Sequence, residues 1–104
     1  MPPDSDALGE RRRGDEKVVR VVARGRVQGV GFRWHVREAA RREGIRGWVR
    51  NRPDGSVELL AAGDASAVDR VIEAVRRGPP AARVDGVEML PVGSEPIPES
   101  FKVH

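Results

Sequence analysis

Residues 25–33 read Gly-Arg-Val-Gln-Gly-Val-Gly-Phe-Arg, and their types and order suit the capture of an anion. Gly25, Gly29 and Gly31 let the main chain turn so that successive N–H groups point into one concavity. The segment then enters a helix-like pattern. The first turn of a helix carries N–H groups without intrahelical acceptors, at the positive end of the helix dipole. Arg33 arrives there with a planar, permanently charged fork that matches the oxygens of a phosphoryl group. Other phosphate loops fit less well. No Gly-Lys-Ser/Thr follows, as a P-loop requires, and no third glycine follows Gly31 at the offset of a dinucleotide-binding turn.

The elements that position this loop are written in the periodicity. Residues 18–24 alternate, with Val19, Val21 and Ala23 on one face and Arg20 and Arg24 on the other, which predicts a half-buried strand. Residues 33–43 carry Trp34, Val36, Ala39 and Ala40 among Arg and Glu, an amphipathic helix that Gly44 ends. Residues 45–51 form a second predicted strand. Arg52-Pro53-Asp54-Gly55 has the chemistry of a tight turn, and residues 56–62 follow as a third strand with Val57, Leu59 and Ala61 inward, so the two strands form a hairpin. Asp64 or Ser66 caps a second helix with an apolar stripe of Val68, Val71, Ile72 and Val75, and Gly78-Pro79-Pro80 stops it. Residues 84–90 predict a fourth strand with Val87 and Met89 inward. A Pro-, Gly- and Ser-rich link over 91–100 leads to a short terminal strand at 101–104. With right-handed crossovers, this β-α-β-β-α-β order gives an α+β protein, a ferredoxin-like α/β sandwich: an antiparallel sheet with two helices on one face and a short C-terminal strand. Residues 1–16 lack periodic apolar positions and are expected to be a disordered tail; residues 17–104 are the folded domain.

Composition narrows the chemistry. The 104 residues suffice for one domain with a modest core. Cysteine is absent, which removes disulfides, thiolate metal sites and a cysteine nucleophile. The two histidines, His35 and His104, are too few for a usual zinc site, so neither metal nor cofactor is expected. No run approaches the ~20 apolar residues of a membrane span, and the N-terminus lacks the pattern of a signal peptide. A soluble, cytoplasmic protein that binds no membrane is expected. The net charge of +3 is unevenly spread: residues 20–52 hold ten arginines against two acids, and residues 53–104 five bases against nine acids. The basic half contains the glycine loop, which would draw a small anion toward it. The basic triplet Arg11–Arg13 is nearly cancelled by neighbouring acids, so nucleic acid is not an expected partner.

Residues 44–51 read Gly-Ile-Arg-Gly-Trp-Val-Arg-Asn. Together with the loop at 25–33, Asp54-Gly55-Ser56-Val57-Glu58 and Gly78-Pro79, in this order and spacing, the sequence closely resembles the acylphosphatase family over residues 18–104. The resemblance implies a ferredoxin-like sandwich, in agreement with the element order. It implies metal-independent hydrolysis of acyl phosphates, the mixed anhydrides of carboxylic and phosphoric acids, to a carboxylate and inorganic phosphate. Arg33, which ends the loop, and Asn51, which ends the second strand, match the family's catalytic positions. The family's main-chain phosphate cradle falls on Gln28, Gly29, Val30, Gly31, Phe32 and Arg33. The partners implied are a small-molecule acyl phosphate and inorganic phosphate or a similar anion as product or inhibitor, on a monomer. The long N-terminal tail and the ending Phe-Lys-Val-His depart from the family pattern without touching these positions.

Such chemistry explains how a site can work without a histidine or a carboxylate. The leaving group is a carboxylate whose conjugate acid has a pKa of roughly 4, so it departs at neutral pH unprotonated. What remains is to hold the phosphoryl group, spread its charge and place a water in line. Amides of the loop and Arg33 can do the first two. The carboxamide of Asn51 can orient the water. Phe32 is expected to anchor the loop in the core, Trp34 and Trp48 to be packing residues, and His35 to be a surface or packing residue rather than a base. Gln28 either donates to phosphate or braces the loop. Arg50 and Arg52 alternate away from Asn51 and should be solvated, while Arg26 adds field strength.

Two other readings share the fold order. An RNA-binding module would stack bases on sheet aromatics, yet the only rings of Phe, Trp or Tyr are Phe32, Trp34, Trp48 and Phe101. A phosphate- or carbamoyl-phosphate-binding domain without turnover would resemble the acylphosphatase-like domains of hydrogenase-maturation proteins, which sit in long chains with cysteine-rich zinc segments.

Overall fold

A computed structural model describes residues 16–104. Strand β1 (Glu16–Arg26) is followed by helix α1 (Phe32–Arg42), strands β2 (Arg46–Asn51) and β3 (Val57–Asp64), helix α2 (Ala65–Arg77), strand β4 (Arg83–Leu90) and a short strand β5 (Phe101–Val103). The sheet order is β4-β1-β3-β2-β5. The first four strands pair antiparallel, and β5 joins the edge of β2 in parallel. This is the expected sandwich. β1 begins at Glu16, one residue inside the segment expected to be a tail; the rest of that segment lies outside the described residues.

Each element follows from its sequence. In α1, Phe32, Val36, Ala39 and Ala40 are buried at helical spacing, and Gly44 takes a left-handed conformation just beyond the helix end. In α2 the Asp64 side chain accepts from the Ala67 amide, so Asp64 rather than Ser66 is the cap. The helix stripes meet the inward positions Val19, Val21, Ala23, Val49, Val57, Leu59 and Ala61 in one core cluster. Met89 differs from expectation: it pairs with Val21 on the edge strand β4 but remains exposed, because no strand lies beyond it.

The helix-free face is more covered than alternation predicts. Val22, Trp48, Leu60 and Ala62 are buried there, outside the main cluster. Topology supplies the reason. β4 and β5 lie at opposite edges, so residues 91–100 have to cross the sheet, and the Glu95 carboxylate pairs with Arg20 on that face at 3.7 Å. Glu58, only 2% exposed, is clamped on the same face between Arg20 and Arg50, whose guanidiniums lie 5.9 and 4.7 Å from the Trp48 ring centre. Arg50 is exposed, as expected of a solvated residue, and is in addition ion-paired to Glu58 and stacked on Trp48.

Candidate active site

β1 and β2 run parallel to one another on either side of β3, so their C-terminal ends emerge together. Ala23 of β1 and Asn51 of β2 both pair with Val57. That row places them about 10 Å apart across β3. The glycine loop leaves β1 at this end, and the turn after Asn51 lies beside it.

The loop is pinned by its buried flanks, Val27 and Phe32, as expected for Phe32. Between them Gly29 and Gly31 have φ of 74° and 79°, the left-handed region that suits glycine. Gly31 is the N-cap of α1, and no side chain caps that helix. The contrast with α2, where Asp64 fills the same role, leaves the first-turn amides of α1 free to meet an anion. A side chain at Gly29 or Gly31 would meet no protein atom within 4 Å, so the side of the loop away from the core is open.

Gln28 is a brace. Its Nε2 donates to the main-chain oxygens of Arg52 at 2.7 Å and Ser56 at 2.9 Å. The side chain ties the glycine loop to the turn that follows Asn51, the bracing arrangement among the two that its sequence left open. The turn is itself organised by Asp54, which accepts from the Ser56 amide at 2.9 Å and from the Ser56 hydroxyl. Those donors, the hydroxyl first, hold the Asp54 carboxyl down at about 2.

Arg33 sits one residue into α1, half-buried, with Nη1 donating to the main-chain oxygen of His104 at 2.8 Å. His104 in turn donates its amide to Val49 of β2 at 2.9 Å. The guanidinium is thus fastened by one arm at the β2–β5 edge, with its other nitrogens unpaired by protein among the described residues. Asn51 ends β2 two positions after the buried Val49. By alternation its side chain shares the helix-side face with Val49, while Arg50 takes the other face. Among the described residues the Asn51 carboxamide has no hydrogen-bond partner, and none joins it directly to Arg33. Arg33 lines a hollow with Gly31, Trp34, Arg37 and Val103; Asn51 lines another with Arg20, Arg50, Arg52, Pro53, Glu58 and Leu90. Gln28 is therefore brought to the turn after Asn51 by hydrogen bonds, whereas Arg33 and Asn51 line separate hollows.

Two placements escaped the sequence. The His104 oxygen as partner of Arg33 carries no sequence signal, because any residue supplies that atom. Trp34 is 61% exposed rather than packed; two residues from Phe32 is about 200° around a helix, which was the available signal. Trp48, in contrast, packs as expected. His35 bonds the Ala74 main-chain oxygen at 2.8 Å, joining the two helices, a packing role as expected. Among the described residues no group of three or more His, Cys, Asp or Glu is placed to hold a metal ion.

The family model for acylphosphatase matches residues 19–103. An acylphosphatase of Nitrobacter hamburgensis is 59% identical over 81 residues, 77% of this chain and 81% of the relative. The crystal structure of an acylphosphatase from Bacillus subtilis superposes with a TM-score of 0.76 at 38% identity, covering 84% of this chain and 97% of that one. HypF from T. kodakarensis matches with a TM-score of 0.73 at 29% identity, but this chain spans 11% of it.

Proposed function

The chain belongs to the acylphosphatase family and hydrolyses acyl phosphates, and we propose that the glycine loop, Arg33 and Asn51 carry that hydrolysis. In this reading the main-chain amides of residues 28–33 and the free nitrogens of Arg33 bind the phosphoryl oxygens. Asn51 accepts a hydrogen bond from a water and aims its lone pair at phosphorus, in line with the departing carboxylate. The P–O bond to water forms as the bridging P–O bond breaks, the bridging electron pair leaves with the carboxylate, and the water's proton ends on a phosphate oxygen or in solvent. The leaving group's low basicity makes a metal or a general acid unnecessary.

The observation that carries this reading is the first turn of α1, uncapped by a side chain and tied by Gln28 to the turn beside Asn51, whose carboxamide has no hydrogen-bond partner among the described residues. An RNA-binding role is disfavoured because the Trp48 ring on the helix-free sheet face is 4% exposed beneath two arginines and so offers no stacking surface. We further read the protein as a cytoplasmic monomer: its exposed large apolar side chains, among the described residues, are Trp34, Met89 and Val103, and two of these line the hollow at Arg33.

Chelator-treated protein assayed with benzoyl phosphate and with p-nitrophenyl phosphate tests the proposal. Rapid release of phosphate from the first and little from the second is expected. Comparable turnover of both, or loss of activity on chelation, overturns it.

A further inference from the structure

The hollow lined by Gly31, Arg33, Trp34, Arg37 and Val103 has a volume of about 430 Å³. Two of its walls are apolar and exposed without serving the core: Trp34 at 61% and Val103 at 42%. The Arg37 guanidinium stacks 4.6 Å from the Trp34 ring centre and donates to Glu38 at 2.9 Å, which holds the indole in one place. Gly31 and Arg33 belong to the phosphate cradle proposed above, so the hollow adjoins that cradle directly.

We propose that this hollow receives the acyl group, and that Trp34 selects acyl phosphates with a flat aromatic or bulky apolar acyl group over short ones. The inference rests on the cradle reading of Arg33 and Gly31. In an acyl phosphate a single bridging oxygen separates phosphorus from the acyl carbon, so only a hollow that touches the cradle can take the acyl substituent. The hollow at Asn51 is walled by Arg20, Arg50 and Glu58, already locked in ion pairs. An apolar group gains little among them. Against Trp34 and Val103 it removes apolar surface from water, and a ring already fixed by Arg37 loses little freedom on binding.

The test compares kcat and KM for benzoyl and acetyl phosphate in the full chain and in its Trp34→Ala, Trp34→Phe and Arg33→Ala variants. Trp34→Ala is expected to lower kcat/KM for benzoyl phosphate about five- to tenfold more than for acetyl phosphate, mainly through KM, with Trp34→Phe recovering most of the difference. Equal losses on the two substrates, or none on benzoyl phosphate, overturn the acyl subsite while leaving the cradle standing. Full turnover of both substrates by Arg33→Ala overturns the cradle itself. Concentration-dependent dimerisation that Trp34→Ala abolishes, without a change in selectivity, assigns the hollow to a second copy and also overturns the subsite.

Discussion

The Gln28 side chain and the main-chain oxygen of Arg52 meet at 2.7 Å, and that bond ties the glycine loop to the residue after Asn51. The same Nε2 donates to Ser56, whose oxygen also accepts from the Arg52 amide at 2.9 Å, while the Arg52 oxygen accepts from the Gly55 amide at 3.1 Å. Each carbonyl therefore keeps one partner if Gln28 is lost. Gln28→Ala is expected to cost about 1 kcal/mol in chemical denaturation, near the net worth of an ordinary hydrogen bond rather than of a buried orphan. Gln28→Glu should cost more, since a carboxylate has no N–H to offer two oxygens. Both variants should lose more in kcat than in KM, because the relation of loop to Asn51 is what the brace sets. Unchanged kcat in both variants would remove the brace from the catalytic argument.

Gly25 and Gly31 separate steric need from ligand need. A Cβ at Gly25, where β1 is bulged against β4, would lie 2.2 Å from the Arg83 oxygen, so Gly25→Ala forces two strands apart and is expected to cost about 3 kcal/mol. Gly31→Ala meets no protein atom and bears only the left-handed φ of 79°, about 1 kcal/mol. Its methyl group nevertheless stands beside the uncapped first turn. Phosphate should inhibit this variant far less well, and kcat/KM should fall roughly 10²-fold. Phosphate inhibition as strong as in the parent would mean that the amides near Gly31 are not the cradle.

The elements were legible because each announces itself over a few residues: period-two alternation in β1 and β3, the 36–39–40 stripe of α1, a cap at Asp64 or Ser66, the Pro-Asp-Gly turn. The sandwich then followed from their order and handedness. Long-range consequences of that order were not legible. Leu60 alternates with the inward Leu59 and Ala61 and so reads as an outward position, yet it is buried on the face that residues 91–100 must cross from β4 to β5. Glu58 alternates away from the core as a strand acid should, but its clamp by Arg20 and Arg50 needs three strands in register. At the proposed site, the loop, Arg33 and Asn51 are candidates drawn from residue types and family resemblance. The Gln28 brace was readable only as one of two options, and the fastening of Arg33 to a main-chain oxygen not at all.

Arg33 and Asn51 should fail in different ways. Arg33→Ala removes a charge and two donors from the phosphoryl group, so a loss of at least about 10²–10³ in kcat/KM is expected, together with weaker phosphate inhibition. Arg33→Lys should restore little, because a point charge cannot span two oxygens while also holding the His104 oxygen. Asn51→Ala leaves every described protein hydrogen bond of the site in place, so kcat should collapse while KM stays near that of the parent. A large KM change in Asn51→Ala with kcat preserved would assign Asn51 to binding instead. Steady-state kinetics with benzoyl phosphate reads all three.

Acid stability should reveal the turn that Gln28 holds. The Asp54 carboxyl is held at about 2 against an ordinary 3.8, first by the Ser56 hydroxyl and then by the Ser56 amide. A folded-state value below the unfolded one stabilises the fold above pH 3.8, and that contribution is lost as pH falls through about 2. Ser56→Ala removes the larger donor. The variant should be less stable than the parent at neutral pH, with the gap closing between pH 4 and 2. Glu58 protonates in acid as well: burial pushes its carboxyl up, but hydrogen bonds from Arg20 and Arg50 outweigh burial and hold it below the usual glutamate value. That loss is common to parent and variant and cancels in the difference between them. Denaturation midpoints measured across the acid range give the answer, and a gap that persists undiminished to pH 2 would show that the turn's stability does not come from the Asp54 charge.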